Sequence, residues 1–141
     1  MPMRLVLDTN SVVSGLLWAG APRHLLDAAR AGKVTLHTTL VLLTELDDVL
    51  RRPKFASRLN AAGVTAPMLV VGYAALATLV APAPITPVVL ADPDDDAVLA
   101  CAVAAPVDAI VSGDQHLLAL GAYHQIPILT ASDALTRLAA P

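Results

Sequence analysis

Short aliphatic runs alternate with helix-length segments along this chain. Leu5-Val6-Leu7 closes on Asp8-Thr9-Asn10-Ser11, and Ala109-Ile110-Val111 closes on Ser112-Gly113-Asp114. Residues 34–38, Val88-Val89-Leu90 and residues 126–129 complete the set. Runs this short and this apolar read as strands buried on both faces, the condition of a parallel sheet. The closing residues are those that cap helices and make turns. Thr39 can cap a helix to about residue 52, stopped by Pro53. A second helix over 54–62 ends at Gly63. Thr65 and Pro67 open a third, to about residue 80. Pro82, Pro84 and Pro87 form a connection, and Asp92 to Asp96 is an acidic helix start favoured by the helix dipole. The segment 96–104 is almost wholly apolar after its first residue and should be buried; Pro106 ends it. Helices over 115–120 and 132–138 follow. The pattern is that of an α/β domain with a parallel sheet covered on both faces, in which ligands bind at the carboxyl ends of the strands.

The chain has 141 residues, which fits one domain over 1–141. Hydrophobic residues make up 56% but aromatics only 3%, so the core must be built from Ala, Leu and Val. The longest apolar runs fall short of the roughly 18–20 residues of a membrane span, and the apolar stretch before Asp8 is too short for a signal peptide. The single Cys101 excludes an internal disulfide and a cysteine metal knuckle. A cytoplasmic protein with no membrane contact is expected. The net charge of −3 argues against a broad basic nucleic-acid surface. It is compatible with a small anionic site that attracts phosphate once it holds a cation.

The acids carry the functional signal. Asp8 follows the first strand directly, and Asp114 lies just past the strand at Ala109-Ile110-Val111, so both open onto the carboxyl edge. Glu45 is the only glutamate. At about 100° per residue, Leu42, Leu46, Val49 and Leu50 share one face of its helix and Glu45 falls at the margin, about 40° from Val49. Asp96 heads the buried helix 96–104. Asp95 is the substitute if the helix register is off by one, while Asp92 and Asp94 read as solvated and Asp108 lies at the wrong sheet edge. Four carboxylates in one cleft repel one another unless a divalent cation neutralises them. Oxygen-only ligands select Mg²⁺ or Mn²⁺ over zinc. Thr9, Asn10 and Ser112 are hydrogen-bonding residues beside the acids, suited to orienting a carboxylate or a water.

These residues resemble the PIN-domain nucleases, and in particular the VapC-like toxins of toxin–antitoxin systems. The resemblance is carried by Leu7-Asp8-Thr9-Asn10, Leu43-Thr44-Glu45-Leu46, Asp96-Ala97-Val98-Leu99-Ala100-Cys101-Ala102 and Ile110-Val111-Ser112-Gly113-Asp114. Ser14-Gly15-Leu16-Leu17-Trp18, Val49-Leu50-Arg51-Arg52-Pro53-Lys54-Phe55 and Asp92-Pro93-Asp94-Asp95-Asp96 are similar to one subgroup. The resemblance implies a three-layer α/β/α sandwich with a five-stranded parallel sheet. It implies Mg²⁺- or Mn²⁺-dependent endoribonuclease activity on RNA phosphodiester bonds, as the toxin of a type II toxin–antitoxin system, with an antitoxin protein as partner and a homodimeric state. Asp8, Glu45, Asp96 and Asp114 match the acidic quartet and metal ligands; Asn10 and Ser112 match polar positions beside it. Pro106 stands where the family often has Gly. After the last strand, Thr130-Ala131-Ser132-Asp133-Ala134 lacks the family's usual Pro and aromatic.

Other readings are weaker. An aspartyl phosphatase would want a second Asp where Asn10 stands. A phospho-receiver needs a late lysine, and only Lys33 and Lys54 are present. A PIN-like module that is non-catalytic, or that acts in RNA processing or through a protein partner, remains the alternative. His24, His37, His116 and His124 show no ligand spacing and read as surface residues, with His116 a minor candidate for phosphate contact. Trp18 reads as a packing or dimer residue that could also stack a base. Arg51, Arg52 and Lys54 form the densest basic group.

Overall fold

The computed structural model describes residues 1–85 and 93–140. The strand expected at Val88-Val89-Leu90, and Asp92, lie outside the described residues. Strand β1 (Met3–Leu7) leads into helices α1 (Thr9–Leu17) and α2 (Ala21–Arg30), then β2 (Val34–Thr38) and α3 (Leu40–Leu50). A 3₁₀ turn (Pro53–Phe55), α4 (Ala56–Ala62), α5 (Ala66–Leu76) and β3 (Thr78–Leu79) follow. The rest is α6 (Pro93–Ala104), β4 (Ala109–Val111), α7 (Gln115–Leu120), β5 (Ala122–Tyr123), β6 (Ile126–Leu129) and α8 (Ala131–Ala139).

Among the described residues the sheet has six strands in the order β3-β2-β1-β4-β6-β5, not the five expected. The β3-β2-β1-β4-β6 pairings are all parallel, and only β5 runs antiparallel, against β6. Strand β5 forms a hairpin with β6 whose turn residues, His124 and Gln125, both take positive φ (48° and 66°). That is the backbone of a two-residue turn matched to strand twist, usually built from Asn and Gly. At the other edge, the helix expected to reach residue 80 ends at Leu76, and Thr78–Leu79 pairs with His37 and Thr38. The two helices between β1 and β2 had no assignment from sequence.

Strand residues alternate between two cores. Leu5, Leu7, Ala109 and Val111 face a layer that contains Val12, Leu17, Leu25, Leu26, Tyr73 and Ala134. Val6, Ile110 and Ile128 face the opposite layer, with Val98, Leu99, Cys101 and Leu117. Helices therefore cover both faces of the sheet. The buried side of α3 is Leu42, Leu46, Val49 and Leu50, as its periodicity requires. No single helix among the described residues is long and apolar enough to cross a membrane.

Candidate metal centre at the carboxyl edge

Parallel pairing carries β1 and β4 to a common end. The Asp8 N–H donates to Val111 O (2.9 Å) and the Ser112 N–H to Leu129 O (2.9 Å), so both residues are pinned where their strands stop. Asp8 is buried and serves as N-cap of α1, its Oδ1 accepting the Ser11 N–H at 2.8 Å. Its Oδ2 accepts the Ser112 hydroxyl at 2.6 Å. The Ser112 oxygen in turn accepts the Asp114 N–H at 2.9 Å. One buried hydroxyl thus holds the carboxylate of one strand end to the backbone of the next. Asp114 caps α7, with Oδ1 accepting the His116 N–H at 2.7 Å.

Asp8, Asp114, Glu45 and Asp95 converge on a cleft of about 30 Å³, lined also by Thr9, Asn10 and Val98. That is room on the order of one water or one ion. The helical-face position read from sequence for Glu45 brings it to this cleft. Asp96 is the exception: it does not line the cleft, and Asp95 occupies the position expected of it. The reason is helical register. Asp95 lies three and seven residues before Val98 and Ala102 and shares their buried face, whereas Asp96 is rotated about 100° off it. The face argument applied to Glu45 would have selected Asp95, but α6 is apolar nearly all round, and that hid its direction. Asn10 is exposed at the rim. It also borders an adjoining hollow of about 420 Å³ shared with Ser112, Asp114, Thr130 and Ser132. A larger depression, about 940 Å³, lies at the opposite edge among Met1, Lys33, Leu135 and Leu138, away from the acids.

A carboxylate oxygen of Asp95, one of Asp114 and a ring nitrogen of His116 lie within 4.8 Å of one another. Two carboxylates at that separation repel by at least about 3 kcal/mol at an effective dielectric near 20. A divalent cation offsets this directly. Every acid lining the cleft donates oxygen, which suits Mg²⁺ or Mn²⁺. His116 does not line the cleft, is largely exposed and stands 3.5 Å from Asp114 Oδ1, beside the acids rather than among them. Its position in this cluster was missed by sequence reasoning, since a histidine two residues from an acid at a helix start carries no ligand spacing. Away from the centre, burial pushes the Cys101 thiol up to about 12, in keeping with a core residue.

The family model described as PIN domain matches residues 4–116, a stretch containing Asp8, Glu45, Asp95 and Asp114. No curated protein matches the chain. PIN domains are generally nucleases that use divalent metals, and the acidic cleft found at the sheet's carboxyl edge agrees with that chemistry. The chain belongs to the PIN domain family.

Proposed function

We propose that the protein is a Mg²⁺- or Mn²⁺-dependent endoribonuclease that hydrolyses RNA phosphodiester bonds in the cytoplasm, as the toxin of a type II toxin–antitoxin system. The observation that carries the reading is the convergence of Asp8, Glu45, Asp95 and Asp114 on one small cleft, with Ser112 bridging Asp8 to Asp114. Those four acids would hold the metal, which when bound supplies positive charge for the phosphate and lowers the pKa of a water for attack. The protein's own part is orientation. Ser11 N–H and Ser112 Oγ fix both oxygens of Asp8. Asn10, exposed at the rim, is placed to bind substrate by its amide. With a net charge of −3, attraction for RNA near the cleft comes largely from the metal.

A second copy and an antitoxin are proposed as protein partners. Support comes from the β3 edge, which pairs with no further strand among the described residues and where exposed Leu40, Val41 and Leu79 border an apolar groove of about 320 Å³. Unpaired apolar edges of this kind are normally covered.

The activity is tested by incubating the purified chain with structured and unstructured RNA in Mg²⁺, Mn²⁺ or EDTA. Cleavage is expected with metal and absent in EDTA or in Asp8→Asn. Cleavage that survives both treatments overturns the chemistry. Expression of the intact chain, but not of Asp95→Asn, should arrest growth; equal effects count against the toxin role.

A further inference from the structure

Four of the nine Lys and Arg residues fall within residues 51–58, a segment with no acid. Arg51 is engaged with Asp47 at 2.8 Å. Arg52, Lys54 and Arg58 form no ion pair among the described residues. Two of these cations sit on aromatic rings. Lys54 Nζ is 5.1 Å from the Phe55 centroid, and Arg58 Cζ is 5.6 Å from that of Trp18. The two rings meet at 6.0 Å, and Trp18 remains 42% exposed. Arg58 Nε is fixed on Leu17 O at 2.7 Å, which holds the guanidinium against the indole, and Arg58 is itself exposed.

Helix α1 fixes where this cluster stands. Asp8 caps its start and Trp18 its end, so the two backbones stand about 15 Å apart along the helix at 1.5 Å per residue. That is the span of roughly four stacked nucleotides at about 3.4 Å each. An exposed indole beside a half-buried phenyl ring, with unpaired cations around both, forms the pattern that holds single strands, bases stacking while cations meet phosphates. A second copy of the chain is a poor occupant, because a two-fold contact would set this cationic patch against itself.

We propose that Trp18 and Phe55, with Arg52, Lys54 and Arg58, form a platform that binds the single-stranded RNA flanking the scissile bond. The inference rests on the ribonuclease reading for its choice of ligand. It supplies the anchoring that the acidic cleft lacks, and it sets a minimum substrate length: an RNA too short to reach from the cleft to Trp18 binds weakly.

Trp18 is the only tryptophan, so its fluorescence reports the platform alone. The full chain is titrated in EDTA with a short oligouridine RNA, with an end-label anisotropy readout in parallel. Saturable quenching is expected. The double variant Arg52→Ala/Lys54→Ala should bind roughly tenfold more weakly, with the slope of log K against log salt reduced by about 1.4. Arg137→Ala, on α8, should bind as wild type. Trp18→Phe keeps a ring and should bind between wild type and Trp18→Ala. Absence of quenching at RNA saturation, wild-type affinity in the double variant, or an emission change with protein concentration alone overturns the proposal. Cleavage of RNA without quenching removes this inference and leaves the nuclease; quenching without metal-dependent cleavage does the reverse.

Discussion

The Ser112 hydroxyl reaches Asp8 Oδ2 at 2.6 Å across 104 residues of chain, and the same oxygen receives the Asp114 N–H. Two strand ends are thereby locked into one site by a single side chain. Ser112→Ala leaves Asp8 with the Ser11 N–H as its remaining identified donor. A hydrogen bond to a buried carboxylate contributes about 1.5–3 kcal/mol, so the variant should unfold at lower denaturant by that order. The catalytic consequence is larger than the stability loss suggests, since a reacting group displaced by about 1 Å can lose on the order of a hundredfold in rate. Steady-state kinetics should show kcat down ten- to a hundredfold or so, with KM nearly unchanged. A fall in KM-dependent binding alone would show that Ser112 touches substrate instead.

Asp95 and Asp96 separate by one residue and by their relation to the cleft. Asp95→Asn should lower cleavage by about a hundredfold or more, and Asp96→Asn by less than about threefold, given what removing one transition-state contact costs elsewhere. Thermal melting gives a reading that does not depend on activity. Mg²⁺ at a hundredfold over its Kd stabilises by about 2.7 kcal/mol, and this gain should shrink in Asp95→Asn but not in Asp96→Asn. In EDTA, Asp95→Asn should melt above wild type, because one member of a repelling pair is neutral. Equal behaviour of the two variants in both assays would remove Asp95 from the metal centre.

Much of this site was legible in the sequence because strand ends are. An acid at or just past the end of an aliphatic run emerges at the carboxyl edge, which placed Asp8 and Asp114 without any helix geometry. Glu45 needed the face of α3, and that face was clear because Thr44, Asp47 and Asp48 contrast with the leucines. Asp95 stood only as the substitute for Asp96 for the opposite reason: after Asp96 the helix α6 is apolar on every side, leaving little polar contrast to show which way it turns. Strand β5 was hidden by its turn, since His124 and Gln125 adopt positive φ without the Asn or Gly that ordinarily signals it. Strand β3 has two residues and pairs, among the described residues, with β2 alone, too short for any period to be read.

Gly15 stands where α1 packs tightly against α2. A Cβ there would stand 2.9 Å from Leu26 Cδ1 and 3.0 Å from the Pro22 carbonyl oxygen. The leucine tip can rotate, but the Pro22 backbone begins α2 and cannot yield without moving the helix. Gly15→Ala gains about 1 kcal/mol in helix propensity, against an overpacking cost of about 1–3 kcal/mol. A net loss on the order of 1 kcal/mol is expected by chemical denaturation. Because α1 carries Asp8 at its start, any shift of the helix also reaches the cleft, so Mg²⁺ should stabilise this variant less than wild type. A more stable Gly15→Ala protein would show that the α1–α2 contact is loose.

His37 gives the fold a pH dependence of definite sign. It is buried in β2, with Nε2 at 3.3 Å from Thr35 Oγ1 and Nδ1 without a hydrogen-bond partner among the described residues. Burial, and secondarily the Arg4 guanidinium, hold its pKa below the ordinary 6.5. The folded state therefore keeps the ring neutral where the unfolded chain accepts a proton. Stability is whole above about pH 6.5 and falls as pH drops from there toward the folded pKa, because the unfolded state binds more protons. Carboxylates add their own acid dependence, so the useful measure is a difference. His37→Gln removes the titrating ring while keeping a polar side chain of similar reach. It should be less stable than wild type at neutral pH, and the gap should narrow as pH falls below about 6.5. Urea unfolding at a series of pH values measures that gap. A gap that stays constant or widens toward acid would mean that His37 takes up its proton at least as readily in the folded protein as in the unfolded chain.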